Sequence, residues 1–222
     1  SPAVFRSYPL ERLAPAAAAS PAGDFPVLFT THARRQAERL ARAGAMATPP
    51  AETGSMLLGY VCSDPGPEAF VVVTEALRIQ AAESDTFSLA FTAESWTRME
   101  SYLARRAADG LLVMGSAHGH PFDASADGAS CKRCDKNLTC ARHTAFLSSD
   151  DRLFMQAVFP FHRHPFQIAH VFGSGAAGQL HDALFSLRDG RLQPRAYAVA
   201  DSLPDDFHKA RKTGGNHEEE ND

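Results

Sequence analysis

The amino-acid sequence predicts an α/β fold. Two stretches carry apolar side chains at helical spacing, several short apolar and β-branched runs have the length of strands, and proline or glycine turn signals separate them. Along 222 residues, enough for one domain with a full hydrophobic core, the order reads helix, strands, helix, strand, helix, strand and hairpin.

Residues 1–26 are rich in Pro, Ala and Ser and read as an N-terminal arm. A helix follows, with Thr31 as its cap, Ala33, Ala37, Leu40 and Ala41 on one face, and Gly44 at its end. Residues 55–62 and 70–74 read as strands joined by the turn Asp64-Pro65-Gly66-Pro67. Residues 92–109 form a second amphipathic helix through Trp96, Met99, Leu103 and Ala107, stopped by Gly110. Residues 111–115 are a short buried strand that runs into a histidine pair. A polar insertion covers 121–147, after which Ser149 or Asp150 can cap a helix carrying Leu153, Phe154 and Ala157. Residues 167–172 are a further strand, and 183–199 a hairpin around Asp189-Gly190. Residues 204–222 read as a charged, flexible tail.

Hydrophobic residues make up 44% and charged residues 22% of the chain, an ordinary globular balance. The formal net charge of -4 argues against a nucleic-acid or membrane-surface binder, which needs clustered Lys and Arg. No apolar run approaches the roughly 18 residues of a membrane span, and no charged-then-apolar signal pattern opens the sequence. The expectation is a cytoplasmic protein.

The most informative residues are His118-Gly119-His120-Pro121, with Ser148-x-x-Asp151 after them and Glu52-Thr53-Gly54-Ser55 well before. Two histidines one residue apart at a strand end can face one metal ion, because alternate strand side chains share a face. Asp151 supplies a third ligand, which leaves a fourth tetrahedral position open, the pattern of a catalytic rather than a structural zinc. Glu52 is a separate carboxylate able to take a proton from water there. A His-x-His pair alone is weak: Phe161-His162-Arg163-His164-Pro165 contains another. That second pair follows no buried strand and has no Ser-x-x-Asp after it, so it reads as a loop.

The set Glu…His-x-His-Pro…Ser-x-x-Asp resembles the JAMM (MPN-plus, JAB) zinc metalloproteases, which cleave ubiquitin and ubiquitin-like proteins from their conjugates. The resemblance covers roughly residues 27–200 and implies a curved mixed β-sheet flanked by helices, with a catalytic domain over 27–203. It implies a zinc held by His118, His120 and Asp151. Glu52 is then the general base, moving a proton from the zinc-bound water to the leaving amine. Ser148 would hydrogen-bond the oxyanion, a role the chemistry also requires. The alternative for Ser148 is a helix cap, which Ser149 could equally provide; for Glu52 it is a solvated loop carboxylate. Three departures stand out. Ser55 replaces a second glycine, Gly119 replaces the common Ser or Thr, and the spacer from His120 to Ser148 is much longer than the family's short loop.

That spacer holds Cys131-x-x-Cys134-x5-Cys140-x-x-His143, suitable for a closed tetrahedral zinc site. A loop so polar cannot build a core, so a metal would supply its folding energy. A disulfide or a loop with reactive thiols are the alternatives, and Asp135 or another histidine could stand in for His143. Cys62, in an apolar stretch, reads as a buried small hydrophobe.

The resemblance therefore implies an isopeptidase or peptidase acting at the C-terminal end of a ubiquitin-like protein, with one catalytic and a second, structural zinc. The insertion would lie beside the cleft. Ala- and Arg-rich composition points to a high-GC bacterium, and bacterial members of the family act in ubiquitin-like conjugation systems, antiviral ones included. Two other readings compete. A zinc deaminase needs His-x-Glu and Pro-Cys-x-x-Cys, whereas His120 and Ser130 occupy those places. A non-catalytic scaffold with a zinc finger sits poorly with a full ligand set.

Overall fold

The computed structural model describes residues 5–13, 25–48, 51–63, 69–78, 93–123, 145–148, 151–153, 155, 165–174, 180–188, 191–209 and 212–213. It is a mixed α/β fold. Strands β1 (Phe5–Ser7), β2 (Val27–Thr30), β3 (Thr53–Ser63), β4 (Ala69–Arg78), β5 (Leu112–Asp123), β6 (Ile168–Ser174), β7 (Leu180–Arg188), β8 (Arg191–Arg195), β9 (Ala198–Ala200) and β10 (Lys212–Thr213) join one sheet. Helices α1 (Thr31–Ala45) and α2 (Ala93–Arg105) flank it. Among the described residues no helix is long and apolar enough to cross a membrane.

The strand order is β8-β7-β6-β5-β3-β4-β2-β9. β3 runs antiparallel to both β4 and β5, while β5 and β6 are parallel, as are β2 and β4. The β3–β5 register shifts between Leu57 and Leu58, a bulge that bends the pair and helps the sheet curl. β3 pairs with β5 through Gly59 and with β1 over residues 61–63.

Residues 56–62 of β3 are all buried because both faces of the sheet are covered. Met56, Leu58 and Tyr60 point into one cluster with Phe70, Met99 of α2, Leu147 and Met155. Leu57 and Val61 point the other way, into a cluster with Val71, Met114, Ile168, Phe172 and the α1 residues Ala33, Ala37 and Ala41. Those three alanines are at most 1% exposed and let α1 lie close on the sheet.

The cap of α1 is Thr30, not Thr31: the Ala33 N–H donates to Thr30 Oγ1 at 3.1 Å. A cap hydroxyl serves the amide two or three residues on, and Thr31 instead faces the Ala200 carbonyl and Asp201. The helix runs one residue past Gly44. α2 ends at Arg105, and Ala107 lies in an exposed single turn closed by Gly110 at φ 73°. The β7–β8 register, Leu187 opposite Leu192 and Arg188 opposite Arg191, agrees with the expected hairpin; Asp189 and Gly190 themselves lie outside the described residues.

Both expected end segments contribute to the body of the fold. Arg6 is buried and donates to the Phe207 carbonyl at 2.7 Å and the Asp109 carbonyl at 2.6 Å, its guanidinium 4.4 Å above the Tyr60 ring. Phe207 is fully buried, edge-on to Tyr8 and Tyr60, and β10 pairs with β1. Residues 5–13 and 204–209 thus clasp each other. One buried aromatic and one buried arginine, whose guanidinium is satisfied by backbone carbonyls, outweigh the polarity of their neighbours.

On the α1 face, Asp182 is a hub. It accepts from Tyr197 at 2.5 Å, from His170 Nε2 at 2.6 Å and from Arg34 at 3.1 Å. Burial pushes the His170 imidazole below its ordinary 6.5, and Asp182 offsets this only in part. Burial would raise Asp182, but His170, Tyr197 and Arg34 outweigh it and hold the carboxyl well below its ordinary 3.8. Both groups therefore bind protons more readily in the unfolded chain. Their contribution to stability is full above 6.5 and 3.8 respectively and is lost as pH falls below those values. The melting temperature is expected to drop between about pH 7 and about pH 5, and the drop to be shallower in His170→Phe. Thermal unfolding followed by circular dichroism at several pH values checks this; equal slopes would remove His170 as the cause.

Candidate metal centre

β5 runs through both histidines of the motif. His118 sits opposite Gly54 of β3 and Val171 of β6, and His120 lies just past the last β3 partner, Gly119. Met114 and Ala117 both lie in the α1-side cluster because the β-bulge at residues 113–115 resets the alternation between them; beyond the bulge, alternation turns Ser116, His118 and His120 away from α1. On that side the chain folds back through Ala145 and Leu147, both buried, to Ser148 and a helical segment at 151–153. Met155 anchors this segment, its sulfur accepting from Ser116 Oγ at 3.8 Å.

Asp151 is thereby brought to the histidines, and ligand atoms of His118, His120 and Asp151 lie within 4.8 Å of one another. His118 Nε2 is 3.2 Å from Asp151 Oδ1, and His120 Nε2 is 3.7 Å from Asp151 Oδ2. Glu52, almost fully buried, brings Oε1 to 3.8 Å from His120 Nε2. A tetrahedral ion with ligands at about 2.0 Å separates its ligand atoms by about 3.3 Å, close to these spacings. His118 Nε2 is buried without a hydrogen bond. Such a nitrogen, in ion-pair contact with Asp151 yet not aligned for a hydrogen bond, is one that a shared cation would satisfy. The residues present fit a metal ion, and His and Asp donors suit zinc among others.

Ser148 forms a reciprocal cap with Asp151. Its N–H and hydroxyl donate to Asp151 Oδ2 at 2.7 and 2.8 Å, and its oxygen accepts from the Asp151 N–H at 3.1 Å. Ser148 stands three residues before Asp151, the spacing of a reciprocal cap, while Ser149 and Asp150 lie outside the described residues. Burial alone would raise the Asp151 carboxyl. His118, His120 and Ser148 outweigh burial and hold it well below the usual carboxylate range, so it is an anion. Phe146, half-buried, packs beside His120 with ring centroids 4.9 Å apart and the rings tilted by 55°.

Glu52, His118, His120, Ser148 and Asp151 are thus gathered as the sequence expects. Cys131, Cys134, Cys140 and His143, and the second pair His162 and His164, lie outside the described residues. Cys62 is buried and free, its thiol pushed up to about 12 chiefly by burial, which fits a packed side chain. Two contributors escaped the sequence reading. One is Phe146. The other is Thr53, the first residue of β3, whose signal was its place directly after Glu52.

Fold and site together define a mixed α/β protein with a buried His-His-Asp cluster that could hold a metal ion. No family model matches the chain. No curated protein matches it either. Among solved structures, the solution structure of a protein from Desulfitobacterium hafniense aligns over 82% of this chain and 97% of its own length, at 13% identity and a TM-score of 0.45.

Gly119, between the two ligands, is where α1 presses on β5: a Cβ there would overlap the Ala41 carbonyl. Gly119→Ser is expected to cost about 2 kcal/mol by overpacking and to weaken metal binding, because β5 can yield only by shifting His118 and His120. Urea unfolding and zinc titration of the variant check this. Wild-type values in both would show that α1 gives way without cost.

Proposed function

We propose that the protein is a zinc-dependent isopeptidase or peptidase of JAMM type, acting at the C-terminal end of a ubiquitin-like protein. The observation that carries this is the buried convergence of His118, His120 and Asp151 with Glu52 alongside. The histidines and Asp151 would hold the zinc. When bound, zinc polarises the scissile carbonyl and lowers the pKa of water.

The chain's own residues supply the rest. Glu52, buried and within 3.8 Å of His120, takes the proton of the attacking water and returns it to the leaving amine. Ser148 holds Asp151 Oδ2 and so leaves Oδ1 towards His118. Its hydroxyl, turned from Asp151 to the substrate, stabilises the oxyanion. Phe146 walls the site beside His120 and limits water. In this reading Cys131, Cys134, Cys140 and His143 bind a second, structural zinc, and their insertion selects the modifier.

Metal analysis of the natively purified protein, with cleavage of ubiquitin-like proteins bearing C-terminal extensions, tests the proposal. Two zincs per chain are expected, one lost in Asp151→Ala and the other in Cys131→Ser. Glu52→Gln is expected to keep its zinc and lose about 100-fold or more in rate. A zinc-free parent, or a Glu52→Gln variant as active as the parent, would overturn the reading.

A further inference from the structure

Three observations meet at one turn of α1. Thr53 Oγ1 accepts from the Gly44 N–H at 2.9 Å and donates to the Leu40 carbonyl at 2.7 Å, with the Ala41 carbonyl at 3.1 Å. The hydroxyl thus bridges residues 40 and 44, the pair that one α-helical turn brings together. The Ala51 N–H donates to the Gly44 carbonyl at 3.1 Å. Glu52 is therefore clamped on both sides, through Ala51 and Thr53, to the same helical turn. Thr53 also stands directly opposite Gly119, and Gly119 abuts the Ala41 carbonyl of that turn. The ligands His118 and His120 flank Gly119.

We propose that Thr53 is a positioning residue for the metal centre. Its hydroxyl, set into the last turn of α1, fixes where Glu52 and the His118–His120 pair stand relative to each other. The side chain points away from the metal cluster and touches neither metal nor substrate. It acts through the backbone of β3 and through the seat of α1 on β5. This inference rests on the metal-centre reading above and adds to it the element that sets its geometry.

Thr53→Val keeps the shape and removes both hydrogen bonds, Thr53→Ser restores the hydroxyl, and Thr30→Ala removes the cap at the other end of the same helix. Thr53→Ala serves if Thr53→Val does not fold. Each protein is titrated with zinc against a chromophoric chelator, and its cobalt(II) absorption spectrum is recorded. Histidine ring NMR signals of the metal-free proteins are compared. Thr53→Val is expected to bind zinc roughly tenfold more weakly, with an altered cobalt spectrum and shifted His118 and His120 signals. Thr53→Ser should match the parent. Thr30→Ala should melt earlier yet keep the parent's affinity and ring signals. Parent-like affinity and signals in Thr53→Val, or equal losses in Thr30→Ala, would overturn the proposal. A parent that binds no zinc defeats the metal reading, and the ring signals still decide whether Thr53 sets the histidines.

Discussion

The close seat of α1 on strands β3 and β5 governs the arrangement around the His-His-Asp cluster. Ala33, Ala37 and Ala41 present almost no side chain, so the helix lies near the sheet and its last turn meets the backbone at Gly119 and Thr53. Larger side chains at those positions would lift the helix. The sheet would then lose its cover on that face, and β3 could no longer be buried on both sides. The face that holds the His-His-Asp cluster is thus shaped by packing on the opposite face.

The two faces carry different polar chemistry. On the α1 face, Asp182 gathers Tyr197, His170 and Arg34 and ties the start of α1 to β6 and β7. Every partner there meets a donor or acceptor of opposite need, apart from His170 Nδ1, which has no hydrogen bond. On the far face, His118 and His120 crowd against Asp151 and Glu52, and His118 Nε2 touches Asp151 without forming a hydrogen bond among the described residues. Buried polar groups are normally satisfied. The first cluster satisfies itself almost completely and reads as a pin between helix and sheet. The second concentrates ligand atoms that could hold a cation, and the proposed function rests on it.

Much of the fold was legible from the sequence. The helices at α1 and α2, strands β3 to β6 and the β7–β8 hairpin follow from apolar periodicity and turn residues, which act over a few neighbouring positions. The ends were less legible. Phe207 stands in a charged run, and only its insertion between Tyr8 and Tyr60 shows that residues near 207 belong to the core. The cap of α1 shifted by one residue because Thr30 and Thr31 are chemically alike, and only Ala200 and Asp201, far along the chain, distinguish them.

For the candidate site, the sequence by itself determined that His118 and His120 share a face, since strand geometry fixes the direction of alternate side chains. It also determined that Ser148 and Asp151 can bond each other, since a capping box needs only three-residue spacing. Only the tertiary structure decided that Asp151 and Glu52 reach those histidines, that Thr53 enters the last turn of α1, and that Phe146 packs beside His120. These contacts join segments far apart in the chain. Their distances are set by how the sheet curls and how closely a helix can approach it, which no local pattern of residues encodes.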